Sequence, residues 1–169
     1  MNEYPLLFTI RDIVDGGNFV AAVVCNGSAL MTDEGDEGWH CSGVEPGGVS
    51  ELGDSPHEAY FFFRQAFTDS LKVFARDSSS FADFETRLLA FFARKDAEDE
   101  ARWLRSRDEI RSGASVDGPF RELPKETAEE PRGLTVVRLD FQKPGEQPAV
   151  AHQIARVTEQ VGIPGRKVA

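Results

Sequence analysis

The stretch "DSPHEAYFFFRQAFTDSLKVFAR" (residues 54–76) constrains the fold of this chain more than any other. Ser55 stands before Pro56 as a helix N-cap, with proline at the first helical position, where its missing N–H costs nothing. Glu58 follows three residues after the cap and completes a capping-box pattern. Ala59, Phe62, Phe63, Ala66, Phe67, Ser70, Leu71 and Phe74 then recur at helical spacing. A helix with so broad a ring-bearing stripe must bury it against another layer. Tyr60 and Phe61 fall off the stripe and predict a second buried face.

The N-terminal residues supply that layer. Residues 4–10 alternate, with Leu6, Phe8 and Ile10 on one face and Leu7 and Thr9 on the other. Gly16-Gly17 is a turn signal, and "FVAAVVC" behind it reads as the second strand of a hairpin. That strand runs on toward Met31 before an acidic turn, and "WHCSGVE" forms a third, with Trp39, Cys41 and Val44 facing inward. "PGGVSELG" reads as a turn and connecting segment leading to the capped helix.

After the long helix, "DSSS" (residues 77–80) ends it and caps a second amphipathic helix marked by Phe81, Phe84, Leu88, Phe91 and Phe92. Residues 95–111 are strongly charged around Trp103, Leu104 and Ile110, and continue that helix or form a third. "LTVVRLDF" is a further strand, and residues 148–162 form a short helix with Val150, Ile154, Val157 and Val161 on one side. The expected fold is α+β: a three-stranded antiparallel meander, long helices packed on the sheet, and a small C-terminal strand-helix appendage. The expected divisions are an α+β domain with helical extension over 1–112, a linker over 113–133 and the strand-helix segment over 134–169. Thirteen phenylalanines make rings the bulk of the core, with Phe8, Val20, Val23, Trp39, Phe63, Phe67, Phe74 and Phe84 as its expected members.

Charge is unevenly placed. The net charge is −10, yet residues 61–112 and 113–169 are each balanced, so all of it comes from the first 60 residues, where Arg11 is the single Lys or Arg. Such a surface repels nucleic acid and attracts basic partners at low salt. Direct nucleic-acid binding is therefore not expected. The expected partner-binding residues are Asp12, Asp15, Asp33, Glu34, Asp36 and Glu37.

No catalytic pattern emerges. His40 and Cys41 are neighbours on a strand and point to opposite faces, so they make neither a dyad nor a shared metal site. Cys25 and Cys41 read as small core residues, and His57 and His152 as surface residues. The acids of "DEGDE" lack the spacing of a calcium loop, and "PGGVSELG" lacks the Lys-Ser/Thr of a phosphate-binding loop. Two cysteines fit a reducing compartment. The start lacks the basic, apolar pattern of a signal peptide, and no apolar run, "YFFF" and "FVAAVVC" included, is long enough to span a bilayer. The expectation is a cytoplasmic, bacterial-type protein, non-enzymatic, without cofactor or metal.

The N-terminal motifs carry a resemblance. Tyr4 and Pro5 on the first strand, Gly17, Phe19 and Val20 at the hairpin, Pro46 and Gly47, and then Gly53, Asp54, Ser55, Glu58 and Ala59 entering the helix resemble the HicB-like antitoxin family over about residues 4–75. The resemblance implies a partly degraded ribonuclease H-like fold without catalytic carboxylates, which masks a small basic HicA-type toxin. Many members of that family also carry a C-terminal DNA-binding module. This chain departs from the pattern in the long acidic connection over residues 26–38 and the helical section over 81–111, which suits a dimerisation arm or a cap over the sheet. "LTVVRLDF" resembles the strand of a ribbon-helix-helix module, but only one helix follows it.

Three functions are consistent with these residues. The first is a HicB-like interaction protein that binds a basic partner, with homo-oligomer formation through the helical section. The second is an acidic protein that mimics nucleic acid and inhibits a DNA- or RNA-binding protein. The third is a metal-dependent enzyme using Asp33, Asp36 or Glu45.

Overall fold

The computed structural model describes residues 2–114, 116, 120–121 and 132–139. Strands β1 (Glu3–Asp15) and β2 (Val20–Asp33) form a long antiparallel hairpin, closed by the Gly16 N–H donating to the Phe19 carbonyl at 2.9 Å. Strand β3 (Trp39–Glu45) pairs with residues 28–33 of β2, and β4 (Gly47–Gly53) pairs with β3 after a cis Glu45–Pro46 peptide. The meander is thus one strand longer than expected. Its fourth strand alternates in burial, but its inward positions are Gly47, Val49, Glu51 and Gly53, so a single valine marks the period in the sequence.

Helices α1 (Pro56–Arg76), α2 (Phe81–Phe92) and α3 (Ala97–Arg111) follow, and α3 is separate from α2. The charged stretch holds Asp96, whose carboxylate accepts from the Glu98 and Asp99 N–H groups and caps α3. Ser55 and Ser80 cap α1 and α2 in the same way. The C-terminal strand is present as β5 (Gly133–Arg138), which pairs antiparallel with residues 21–26 of β2 and is part of the sheet. It continues the line of β3 along the same side of β2. The helix expected over 148–162 lies outside the described residues.

The long β2 has two buried faces. Its odd positions, from Ala21 through Val23, Cys25 and Ala29 to Met31, join Phe8, Ile10 and Val14 of β1 beneath α1 and α2. Phe63, Phe67, Leu71, Phe84 and Leu88 complete this main core. On the opposite face, Leu30 and Val44 form a second, small cluster with Trp103 of α3. Val44 is therefore buried on the α3 face rather than the α1 face, because side chains alternate along a strand and position 44 shares the side of Ser42, which bonds Asp99 of α3, not that of Cys41. Five of the eight expected core residues (Phe8, Val23, Phe63, Phe67 and Phe84) are buried, while Trp39 and Phe74 are half-buried at its margin. Val20, at the start of β2, is also half-buried.

Helix α3 caps the sheet. The Trp103 indole N–H donates to the Leu6 carbonyl at 3.2 Å, and the Ser42 hydroxyl donates to Asp99 at 2.8 Å. Within the segment expected as linker, Val116 and Phe120 pack against the main core, with the Phe120 ring 4.4 Å from that of Tyr4.

Candidate functional site

The acidic turn between β2 and β3 is tightly folded. Asp33 Oδ1 accepts from the Gly35 N–H at 3.0 Å, and the Glu34 N–H donates to the Gly38 carbonyl at 2.9 Å. Gly38 has φ +92°, and a Cβ there would meet the Gly53 carbonyl oxygen at 2.6 Å. Only glycine lets this turn lie so close to the end of β4. Asp36 and Glu37 sit in the short 3₁₀ turn Gly35–Glu37 and are exposed.

The register Trp39↔Gly53 then sets the acidic turn beside the start of α1. A Cβ on Gly53 would lie 2.4 Å from the Ala59 nitrogen, so the first helical turn rests directly on the strand end. Glu58 Oε2 accepts from the Asp54 N–H at 2.9 Å, and Ser55 Oγ accepts from the Glu58 N–H at 3.2 Å. An open groove of about 310 Å³ results, lined by Glu37, Leu52, Gly53, Asp54, Glu58 and Phe62.

This end of the molecule joins carboxylates to exposed apolar side chains. Leu52 is 59% exposed, Phe61 55% and Phe62 36%. Phe61 and Phe62 thus correct the reading of α1. Its buried stripe is the single row Ala59, Phe63, Phe67, Leu71 and Ala75, and Tyr60 lies half-buried against Phe63. One i, i+4 row suffices because α1 meets the sheet on one side only, which leaves the neighbouring rings to solvent. Between residues 31 and 60 there are eight acidic residues and neither Lys nor Arg.

The six expected contact residues divide into two groups. Asp33, Glu34, Asp36 and Glu37 lie at the open end of the hairpin, next to Asp54 and Glu58. Asp12 and Asp15 lie near its closed tip, where Asp15 pairs with Val20. About twelve residues of strand separate the two ends, roughly 40 Å. The tip acids shape the local backbone: Asp12 Oδ1 accepts from the Ile13 N–H at 2.9 Å and Asp15 Oδ1 from the Gly17 N–H at 2.7 Å. The six do not make one continuous face.

Leu52, Asp54, Glu58, Phe61 and Phe62 complete the open-end surface, and sequence reasoning assigned them to a connection, a cap and a core. The missed signal was the density of adjacent rings in "YFFF", more than one helix face can bury.

The other reactive groups are elsewhere. Cys25 and Cys41 are buried in the main core. Burial pushes both thiols up to about 12, with the charge of Glu45 adding to the effect at Cys25. Neither is an activated nucleophile. His40 is half-buried on the strand face opposite Cys41, and His57 is exposed. His152 lies outside the described residues. Glu45 is bound by Arg132 at 2.8 Å and Lys95 at 3.6 Å, at the far end of β3 from Asp33. Among the described residues, no group of three or more His, Cys, Asp or Glu side chains is placed to hold a metal ion. No helix among them is long and apolar enough to cross a membrane.

Comparison with protein-family models, curated proteins and solved structures finds no match to this chain.

Proposed function

We propose that this chain is a non-enzymatic interaction protein that binds a basic partner protein at its acidic open end, as a HicB-like antitoxin binds a HicA-type toxin. The observation that carries the reading is the frame of Glu37, Asp54 and Glu58 around exposed Leu52 and Phe62. Apolar contacts hold such a complex together, while the surrounding field steers the partner in and excludes acidic competitors. The reading places the protein in the cytoplasm, where the buried thiols stay reduced.

The test is affinity purification of the tagged full chain from its host at low and high salt, repeated with Glu37→Lys and Asp54→Lys. A small basic protein retained at low salt, released at high salt and lost with both variants supports the reading. Recovery of the chain alone under both conditions overturns it. Capture of a nucleic-acid enzyme that DNA or RNA displaces replaces it with the nucleic-acid-mimic reading.

A further inference from the structure

The described sheet has three strand edges without a strand neighbour, on β1, β4 and β5. An unpaired edge is a template for another strand, and proteins blunt such edges with proline, basic side chains or covering groups. β1 is blunted. It carries Pro5, and its Leu6 and Thr9 carbonyls already accept from Trp103 and Arg64. β5 is basic, ending in Arg138 with Arg132 just before it.

Among the described residues β4 lacks these devices along 48–52, where α1 rests on one face of its last residue, Gly53. Gly47–Gly53 contains no Pro, Lys or Arg, and among the described residues its one hydrogen bond from outside the sheet is at its first residue, the Gly47 N–H donating to the Arg94 carbonyl at 2.8 Å. Its outward positions Gly48, Ser50 and Leu52 are exposed. Leu52 lies on one side of this edge and Phe62 of α1 on the other, both lining the groove. A strand laid beside β4 would thus meet apolar surface on both of its faces. Among the described residues, Glu37, Asp54 and Glu58 line the groove and Glu51 belongs to β4 itself, so a basic strand is matched and an acidic one repelled.

We propose that β4 is a docking edge for an extended basic segment of a partner protein, which adds as a further strand beside residues 48–53. The proposal rests on the reading of the acidic end as a surface for a basic partner and names how that surface is used. Main-chain hydrogen bonds supply affinity, and side chains alternating between apolar and basic supply specificity.

The test uses the full-length, ¹⁵N-labelled protein at low salt. It is titrated with a short synthetic peptide alternating Lys and Val, with the fully N-methylated peptide of the same side chains, and with an oligolysine of equal charge. Strand addition shifts the amide resonances of residues 48–53 and slows their hydrogen exchange. It also makes the N-methylated peptide bind roughly tenfold or more weakly, because it has no N–H to pair. Leu52→Asp, at an exposed position that leaves the core intact, weakens the Lys-Val peptide to a similar degree. Equal binding of both peptides, or shifts confined to residues 33–37 and 54–58, overturns strand addition while the acidic surface stands. Shifts along β1 or β5 also overturn it. Binding of neither peptide nor oligolysine overturns both readings.

Discussion

The Arg102 guanidinium donates to Glu3 Oε1 at 2.8 Å, joining the third helix to the first strand across 99 residues of chain. Arg102 also donates to Asp99 Oδ1 at 2.9 Å, and the Ser106 hydroxyl donates to Glu3 Oε2 at 3.3 Å. The hydrogen bond from Arg102 to Glu3 raises the guanidinium pKa further, so the guanidinium stays charged at any working pH. With one small apolar cluster beneath it, α3 depends on these polar ties more than α1 does.

Arg102→Ala is expected to destabilise the protein by about 1–3 kcal/mol, the usual cost of losing hydrogen bonds between charged groups. Hydrogen exchange locates the effect: α3 amides lose protection while the β1–β2 ladder keeps its own. Uniform loss across the sheet would mean that α3 is integral to the main core.

Gly53→Ala places a methyl 2.4 Å from the Ala59 nitrogen and 2.9 Å from its Cα. These are backbone atoms in a capped turn and cannot move aside cheaply. A loss of about 1–3 kcal/mol is expected, as for other overpacked sites, read as a lower urea midpoint at unchanged slope. An unchanged midpoint would show that the helix start is loosely seated.

Two rings two residues apart in α1 should behave oppositely. Phe63 is fully buried against Phe8 and Phe67, so Phe63→Ala costs about 3–5 kcal/mol. Phe61 is 55% exposed, and Phe61→Ala stays within about 0.5 kcal/mol. Similar losses at both positions, measured by chemical denaturation, would contradict the single buried stripe.

Alkali should unfold this protein through its thiols. Both cysteines titrate near 9 when unfolded and at about 12 when folded. A raised folded value means the stabilisation is complete below about pH 9 and lost as pH rises toward 12, by up to about 1.4 kcal/mol per thiol per pH unit. Urea midpoints from pH 8 to 11 check this, and the slope should flatten in a Cys25→Ala, Cys41→Ala double variant. An equal slope in that variant would assign alkaline loss to other groups.

Charge reversal distinguishes the two acidic ends. Glu37→Lys and Asp54→Lys should each weaken oligolysine binding several-fold at low salt, with the difference fading at high salt. Asp15→Lys, at the hairpin tip, should change it little. Equal effects from all three, by isothermal titration, would mean that binding follows net charge and has no place on the molecule.

Local chemistry is legible in the sequence itself. The hairpin turn at Gly16-Gly17, the Ser55 and Ser80 caps and the break at residues 77–80 each depend on a few adjacent residues, and all are found. Periodicity likewise identifies β1 and, within the broader stripe read for α1, the buried Ala59, Phe63, Phe67 and Leu71, because a strand or helix that buries one face must repeat its apolar residues at the period of its backbone. Tertiary structure alone decides what lies beside what. The pairing of β5 with the first half of β2 brings together residues more than a hundred positions apart, and no local pattern encodes a choice of neighbour. β4 is a strand because β3 offers it a ladder, not because the residues of Gly47–Gly53 alternate between apolar and polar. The six acids expected to bind a partner read as one charge, yet a stiff hairpin of about 40 Å holds them apart at its two ends. Sequence sums charge along the chain, and only the fold assigns it a position in space.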